Sequence, residues 1–488
     1  MKVLLINPSF TYENQWLQIT EPLGILYLAS YLKKYSNHTI EVLDCISSRN
    51  VIKLSKYKYW YGLSYKEILS KISICQPDIV GLTCLFSKKR DDFLYCARVI
   101  RGNYPNIILL AGGTYPSLFP NEVMQTGLFD YCIIGEGEQS LKRLADFIAD
   151  SKSNKMVEEI DGLAYTKKNN IIINPKKYFI NDLDSIPFPS RDLIDYENYI
   201  TRKTILHGLG INRSASILTS RSCPNRCNFC SMFKIHGSKW RGRSAQNIIN
   251  EILHLKELYN IKDFFIMDDN FTFNRNRIIE LCNILIEKKI KINWNTPNGV
   301  STNTLDEEIL LLMKKSGCYS ICIAIETGNE ELRNKVIGKR LTNKKIEEVT
   351  ECCRKIGLLV NAFYIIGMPG ENKDNFKSTI EQIKKLHLNG VAAAFANPLP
   401  GTKLYQDCLK NNWTILNSDE RVDNVLYRPF IITSDFSEKE LILRERRFYR
   451  TFFRSKFFTI IKDTMLFRNK LLYPPFLLRI IKDRLFRN

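Results

Sequence analysis

The sequence lacks any apolar run of the ~18–20 residues that a membrane-spanning helix needs. Its first residues, MKVLLINPSF, contain one lysine and an apolar stretch too short for a secretory signal peptide. Cysteine accounts for only 14 of 488 residues, too few for a small fold held together by disulfides. We therefore expect a cytoplasmic protein with reduced thiols, in which clustered cysteines hold metal rather than form disulfides.

The composition is that of a globular protein with an excess of basic charge. Apolar residues make up 44% and charged residues 25%, which excludes wholesale disorder. The length suggests about three domains. The 71 lysines and arginines against 51 acidic residues give a net charge of +20. Residues 441–488 hold 13 basic and 3 acidic residues, so half of the excess lies in a C-terminal tail.

Residues 1–150 alternate short β-rich runs with amphipathic helical patterns. This alternation predicts an α/β domain with a doubly wound, Rossmann- or flavodoxin-like parallel sheet, whose ligands bind at the carboxyl ends of the strands. The predicted loops at those ends contain Thr83, Gly112, Gly113 and Gly135. Glycines there let the backbone approach a flat or anionic ligand, although tight turns explain them equally well. The predicted strands are Lys2–Asn7, Thr39–Cys45, Asp78–Cys84, Asn106–Gly113 and Asp130–Gly135.

The rest of the chain predicts a second α/β domain and a helical tail. Residues 151–205 carry a short β-like pair and several prolines, and are interpreted as a connecting segment. Residues 206–425 contain six strand–helix units, which predict a partial TIM-type (β/α)6 barrel with its chemistry at the carboxyl ends of the strands. Residues 426–488 predict a basic amphipathic region. The predicted barrel strands are Ser216–Thr219, Phe264–Met267, Lys291–Asn295, Ile321–Ile325, Val360–Ile366 and Ala392–Phe395.

A cysteine cluster follows the first of these strands. The stretch TSRSCPNRCNFCSMF places Cys223, Cys227 and Cys230 at a C-x3-C-x2-C spacing. Three thiolates on one loop can hold three irons of a 4Fe-4S cluster and leave the fourth iron open for substrate chemistry. No second cysteine pair lies nearby to complete a zinc tetrahedron, although His236 is six residues further on. The alternative from another class is a structural or electron-transfer iron–sulfur protein.

The cysteine loop and the ends of the later strands together resemble the radical S-adenosylmethionine (SAM) enzymes. The motifs that carry the resemblance are IMDDNF (266–271), INWN (292–295), AIETGN (324–329), YIIGMPGE (364–371) and NPLPGT (397–402). The preceding domain, with AGGTYPS and IIGEGEQS, resembles the branch that has an N-terminal cobalamin-binding domain. The resemblance covers about residues 1–425.

The resemblance implies the roles of individual residues. Cys223, Cys227 and Cys230 are implied as the catalytic cluster ligands, with SAM chelating the open iron through its amino and carboxylate groups. Glu326 is implied to contact polar groups of SAM, and its alternative is a solvated carboxylate at a strand end. Asp268, Asp269 and Asn295 are implied to contact either SAM or substrate. The residues implied for SAM are Phe229, Asp269, Asn295, Glu326, Gly367 and Pro369, and those implied for cobalamin are Thr83, Gly112, Gly113 and Gly135.

The resemblance also implies the activity. Reductive cleavage of SAM gives a 5′-deoxyadenosyl radical that functionalises an unactivated carbon of a small molecule, most commonly with methyl transfer from methylcobalamin. A cyclase or rearrangement enzyme that does not use methylcobalamin is the alternative. A flavodoxin or ferredoxin is the implied reductant. The loop after the first strand, NPSFTYENQW, contains no histidine, so cobalamin is expected without a histidine lower ligand, or is absent altogether.

The tail from 441 to 488 interleaves basic residues with phenylalanines at helical spacing. This pattern suits a helical cap on the barrel or an amphipathic helix at an anionic membrane surface, and suits nucleic acid less well. The membrane alternative implies a lipid-like substrate and a peripheral position at the inner membrane surface. The other eleven cysteines lie in strand or helix patterns and are expected to be small buried residues.

Overall fold

The computed structural model describes residues 1–12, 19–48, 50–55, 58–150, 157–200, 213–415 and 429–466, with side chains up to residue 456 in the last range. The chain forms two compact units. Unit 1 comprises residues 1–202 and 231–242, and unit 2 comprises residues 203–230 and 243–488. Within the described ranges, every helix is too short or too polar to traverse a bilayer.

Unit 1 is built around one large sheet. Its strands are β1 (Lys2–Asn7), β2 (Phe10–Tyr12), β3 (Thr39–Asp44), β4 (Val51–Ser55), β5 (Lys58–Tyr61), β6 (Ile79–Thr83), β7 (Ile108–Gly112), β8 (Tyr131–Ile133), β9 (Leu163–Lys167), β10 (Asn170–Ile173) and β13 (Arg241–Gly242). Its helices are α1 (Leu23–Tyr35), α2 (Tyr65–Cys75), α3 (Arg90–Asn103), α4 (Thr114–Leu118), α5 (Pro120–Gln125), α6 (Glu138–Ala149), α7 (Glu197–Ile200) and α8 (Met232–His236).

The large sheet has the strand order β10-β9-β8-β7-β6-β1-β3. The strands β3, β1, β6, β7 and β8 run parallel, as the alternation of strands and helices predicts. Side chains alternate across a strand, so β1 contributes to two apolar clusters, one on each face of the sheet. Leu4 and Ile6 lie in one cluster, and Val3 and Leu5 lie in the other. Two buried faces confirm the doubly wound class.

Two further parts of unit 1 differ from the sequence prediction. The antiparallel strands β9 and β10 extend the large sheet beyond β8, so the predicted connecting segment contributes to the first sheet. The strands β2, β5 and β4 form a separate three-stranded antiparallel sheet that the sequence does not predict.

Unit 2 contains a six-stranded parallel sheet. The strands of unit 2, inside and outside this sheet, are β11 (Ser214–Ile217), β12 (Ser220–Arg221), β14 (Asp263–Ile266), β15 (Asn293–Val300), β16 (Cys318–Glu326), β17 (Leu359–Ile366), β18 (Gly390–Phe395), β19 (Thr414–Ile415) and β20 (Ile431–Ile432). Its helices are α9 (Ala245–Tyr259), α10 (Arg275–Glu287), α11 (Glu307–Lys315), α12 (Asn343–Ile356), α13 (Lys373–Lys385), α14 (Lys403–Lys410) and α15 (Glu438–Leu466), with a π-helical turn at Leu332–Ile337.

The strand order β11-β14-β15-β16-β17-β18 follows the chain, and every neighbouring pair is parallel. This confirms the predicted partial barrel of six strand–helix units. Ser244 caps the start of α9, because its hydroxyl accepts the backbone N–H of Asn247.

The long helix α15 forms the first part of the basic tail. Leu441, Phe448 and Phe452 are buried on one side of it, and the Ala393 N–H of β18 donates to the Tyr449 hydroxyl at 3.0 Å. Up to residue 456, the apolar face of the tail therefore packs on unit 2 as a helical cap. Residues 467–488, with Pro474 and Pro475, lie outside the described residues.

Candidate active site

Asp268 fixes the base of the cysteine loop. It follows β14, and its buried carboxylate accepts hydrogen bonds from the Thr219 N–H and hydroxyl, both at 2.6 Å, and from the Ser220 hydroxyl at 2.5 Å. The Arg277 guanidinium lies 3.8 Å from the same carboxylate and donates to the Thr219 carbonyl at 2.9 Å. The sequence implied a ligand contact for Asp268, but both carboxylate oxygens bind the chain just before Cys223.

The cysteine loop itself has a constrained backbone. Ser222 is fully buried with φ of +72°, a left-handed conformation that non-glycine residues seldom adopt. Further along, the Asn228 N–H donates to the Ile337 carbonyl at 3.0 Å, and the Leu404 N–H donates to the Asn228 carbonyl at 2.9 Å. Two other elements of unit 2 therefore hold the loop in place.

The three predicted cluster ligands lie on this loop. Cys223, Cys227 and Cys230 are all half-buried, whereas ten of the other eleven cysteines are buried, as the sequence predicts. Burial raises the pKa of the Cys227 thiol to about 12, while the Lys339 ammonium acts to lower it and the neighbouring thiols to raise it. A thiol with so high a pKa keeps its proton unless a metal cation replaces it.

The donor set fits an iron–sulfur cluster on three protein ligands. The Asn270 side-chain amide donates to the Cys223 sulfur at 3.5 Å, a contact that stabilises negative charge on a thiolate. Among the described residues, no three histidine, cysteine or acidic side chains, the three loop cysteines included, lie at the spacing of a preformed metal site. The fit therefore rests on the chemistry of the donors, because three cysteine sulfurs on one loop are the ligand type that iron–sulfur clusters take.

Glu326 ends β16 as a buried carboxylate with a cation beside it. Its φ is +68°, and it is only 5% exposed. The Lys339 ammonium lies 2.5 Å from its Oε1 atom. Both charges affect the pKa of the Cys227 thiol, with Glu326 raising it and Lys339 lowering it. A carboxylate and an ammonium therefore lie within electrostatic reach of the cysteine loop, and the prediction of a solvated strand-end carboxylate does not describe Glu326.

The end of β15 presents buried polar atoms. Asn295 donates to the Tyr319 hydroxyl, which in turn donates to Asp263 at 3.2 Å. The side-chain oxygens of Asn295, Thr296 and Asn228 are buried and have no hydrogen-bond partner among the described residues. Such atoms are rare in native proteins unless a ligand or water satisfies them. Asp269, after β14, is half-buried.

The turn 367–371 after β17 and the cysteine loop share one apolar cluster. Gly367 has φ of +81°, Pro369 is buried, and Met368 belongs to an apolar cluster against which Cys227 and Phe229 pack. The structure therefore brings Phe229 and the predicted SAM turn together.

The residues implied for cobalamin are also adjacent, at the carboxyl ends of β6, β7 and β8. Thr83 pairs with Gly112 in the sheet. Gly113 has φ of +104°, and a Cβ there would lie 2.6 Å from the Cys84 carbonyl, so only glycine fits. The Ser117 hydroxyl donates to the Gly113 carbonyl at 2.7 Å and accepts the Gly135 N–H at 2.9 Å. A Cβ at Gly112 would meet open space.

Sequence reasoning missed three residues of the site. Asn270 directly follows the predicted Asp268–Asp269 pair and could have been included with it. Lys339 lies 13 residues after Glu326, and its pairing with that carboxylate has no local pattern. The buried oxygen of Thr296 lies just beyond the end of the predicted strand.

Comparison with protein families identifies both units. Residues 217–383 match the model of the Radical SAM superfamily, and residues 16–145 match the model of the B12 binding domain. The first match includes the three cysteines, Glu326 and the turn 367–371. The second includes the four residues implied for cobalamin.

Two curated relatives match along most of their length. The cytidylyl-2-hydroxyethylphosphonate methyltransferase of Streptomyces wedmorensis is 27% identical over 464 residues, which cover 88% of this chain and 85% of the relative. The anaerobic magnesium-protoporphyrin IX monomethyl ester cyclase of Rubrivivax gelatinosus is 24% identical over 466 residues, which cover 94% of this chain and 78% of the relative.

A solved structure shares the fold of both units. The cobalamin-dependent S-adenosylmethionine radical enzyme OxsB, solved with aqua-cobalamin and S-adenosylmethionine bound, aligns with a TM-score of 0.70 at 18% identity. The alignment covers 93% of this chain and 67% of OxsB. The structural likeness shows a shared fold, and the two family matches show that the chain contains a radical SAM domain preceded by a B12-binding domain.

Proposed function

We propose that this protein is a cobalamin-dependent radical SAM enzyme that transfers a methyl group to an unactivated carbon of a small-molecule substrate. The observation that carries the proposal is one anchored loop with three half-buried cysteines, at the carboxyl end of a six-stranded parallel barrel. The methyltransferase among the relatives supports the choice of reaction.

The residues of unit 2 provide matching groups for a cluster and SAM. A 4Fe-4S cluster, when bound by the three cysteines, supplies the electron that cleaves SAM. Glu326 and Lys339 offer opposite charges to the ammonium and carboxylate of the methionine part of SAM. The unsatisfied oxygens of Asn295 and Thr296 can accept hydrogen bonds from hydroxyl or amino groups.

Apolar side chains beside the cysteine loop would protect a reactive radical. Phe229 and the buried Met368 belong to the same apolar contact region as Cys227. Such a lining excludes water and prevents quenching of reactive species.

Unit 1 offers cobalamin an open sheet edge. The space above Gly112 lets a flat macrocycle approach the backbone at the carboxyl end of β7. The loop after β1 contains no histidine, so the cofactor would bind without a histidine lower ligand.

The first experiment tests SAM cleavage. Protein purified anaerobically and reconstituted with iron and sulfide is given SAM and dithionite, and 5′-deoxyadenosine is measured. Wild-type protein and Cys352→Ala, which alters the half-buried cysteine of α12, should both release it. Cys227→Ala should lose both cluster iron and product. No product from wild type, or equal product from Cys227→Ala, would refute the proposal.

A second experiment tests cobalamin binding. Gly112→Leu places a side chain in the open space at the sheet edge without backbone strain. Wild type should bind about one equivalent of hydroxocobalamin, and Gly112→Leu should bind much less with an unchanged iron content and melting temperature. Equal binding by the two proteins would contradict the assignment of this edge.

The second candidate reaction is a cyclisation without methyl transfer, favoured by the cyclase among the relatives. The products distinguish the two reactions. Methyl transfer releases S-adenosylhomocysteine in addition to 5′-deoxyadenosine and methionine, whereas the cyclase-type reaction releases 5′-deoxyadenosine and methionine without S-adenosylhomocysteine.

We also propose that the enzyme receives electrons from a flavodoxin or ferredoxin.

We further propose that α15 contacts an anionic membrane surface peripherally. Such a contact would suit a lipid-like substrate. Arg447, Arg450 and Arg454 are exposed on α15 opposite its buried apolar face. Basic residues near an anionic surface contribute about 1 kcal/mol each, so changing all three to Gln should weaken liposome binding roughly a hundredfold. Equal flotation of variant and wild type with anionic liposomes at low salt would remove the membrane contact.

A further inference from the structure

The turn 367–371 shares an apolar cluster with the cysteine loop and contacts the C-terminal helix at both of its ends. At the centre, Met368 lies in the apolar cluster on which Cys227 and Phe229 pack. A change in the position of this turn would therefore reach the residues around the cluster loop.

At its far end, the turn is held by a buried ion pair. Glu371 is 1% exposed, and its Oε1 atom accepts the Gly367 N–H at 3.4 Å. The Arg444 Nη1 group of α15 donates to the same Oε1 at 2.8 Å and to the Glu371 backbone carbonyl at 3.1 Å. Replacing one partner of a buried pair by an uncharged residue leaves an uncompensated charge, so such a change at either position alone should be costly.

At its near end, the turn packs directly on the same helix. A Cβ at Gly367 would come within 3.0 Å of both methyl groups of Leu441. The Arg444 guanidinium also lies 5.7 Å from the centre of the Phe376 ring and 5.6 Å from that of Phe436. These two rings restrict where the guanidinium can go.

We propose that α15 is a positioning element of the SAM site, in which Arg444 holds the turn 367–371 against the cysteine loop through Glu371. The inference rests on the proposed function, because the turn shapes a SAM site only if SAM binds beside the cysteines. Without Arg444, Glu371 must either take up a proton or move toward water. Either change loosens the turn and its contact with Phe229.

The geometry also predicts which substitution is tolerated. Only Nη1 of Arg444 contacts Glu371, and its Nη2 group has no hydrogen-bond partner among the described residues. A lysine ammonium can supply a one-point contact. Arg444→Lys should therefore keep the function, whereas the uncharged Arg444→Met should lose it.

The test compares wild type with Arg444→Met, Arg444→Lys and the double variant Arg444→Met/Glu371→Gln. Lys439→Met, which removes an exposed cation from the same helix, is the matched control. In cluster-free protein, amide hydrogen exchange of residues 367–371 reports on the turn. In reconstituted protein, SAM titration followed by electron paramagnetic resonance gives the Kd, and 5′-deoxyadenosine formation gives kcat and KM.

Arg444→Met should exchange the amides of the turn at least ~10-fold faster and raise the Kd and KM for SAM by a similar factor, with iron content and kcat at saturating SAM unchanged. Arg444→Lys and Lys439→Met should stay close to wild type, whereas the double variant, which also lacks the contact between helix and turn, should keep the raised Kd and KM. A double variant with wild-type Kd and KM would overturn the positioning role. If wild type cleaves SAM but Arg444→Met has an unchanged Kd and KM for SAM, the inference is wrong. It is also wrong if Arg444→Met loses iron while its KM for SAM stays unchanged. Wild-type protein that neither binds nor cleaves SAM would refute the proposed function and this inference with it.

Discussion

Replacing Asp268 with asparagine should destabilise unit 2 and its cysteine loop although no cysteine is changed. Asparagine can still accept the Thr219 N–H, but its amide nitrogen would replace the oxygen that accepts from the Thr219 and Ser220 hydroxyls. A hydrogen bond to a charged group contributes about 1.5–3 kcal/mol, so losing two lowers the free energy of unfolding by about 3–6 kcal/mol. For a unit of this size, that loss lowers the melting temperature by roughly 10 °C.

Thermal unfolding of the cluster-free protein and iron content after reconstitution measure these effects. Asp268→Asn should melt lower and retain less iron than wild type. Asp269→Asn, which changes the half-buried neighbour, should show less than half the loss. If Asp268→Asn matched wild type in both measurements, the hydrogen bonds to Asp268 would not be what holds the loop.

Three further predictions concern Glu371, Gly113 and Lys339. Burial raises the pKa of the Glu371 carboxyl from 4.5 to about 7, so the folded protein binds the carboxyl proton more tightly than the unfolded chain does. The free energy of unfolding should therefore fall as the pH rises from 4.5 to about 7. Urea unfolding of Glu371→Gln across this range should lack that decline, and a parallel decline would contradict it. Gly113→Ala should lower the free energy of unfolding by about 2–4 kcal/mol, because Gly113 has a positive φ and a Cβ there would approach the Cys84 carbonyl. Gly112→Ala should change it by no more than about 0.5 kcal/mol. Equal losses for the two variants in denaturant unfolding would refute the argument. Lys339→Met leaves the buried Glu326 carboxylate without its cation and should lower the free energy of unfolding by about 3 kcal/mol. In a double-mutant cycle, adding Glu326→Gln to Lys339→Met should recover most of this loss.

The sequence predicted elements well where a regular pattern decides them. The bounds of β1, β3 and β17 agree with the prediction to within about one residue, because each is a short run dominated by apolar residues. The strand β15 runs to Val300, past the predicted end at Asn295. The prediction ended too early because Pro297 and Gly299 are usually turn residues. In the structure they lie in an irregular stretch of the strand. The strand β4 was missed because all five of its residues are exposed and show no alternation.

The site was predictable only where chemistry follows from spacing. The cysteine motif placed the three thiols on one loop, but the partner of each charged group comes from elsewhere in the chain. Asp268 binds residues 48 and 49 positions earlier, and Arg444 reaches Glu371 across 73 positions. Such pairs depend on how strands and helices pack, and no local pattern records them.

Electron paramagnetic resonance of the dithionite-reduced, reconstituted protein with and without SAM is the most direct test of the account. A cluster on Cys223, Cys227 and Cys230 should contain about four irons, and its spectrum should shift when SAM binds the open iron. A spectrum that SAM leaves unchanged, with a fourth protein ligand on the cluster or a tetrahedral zinc ion in its place, would contradict the account.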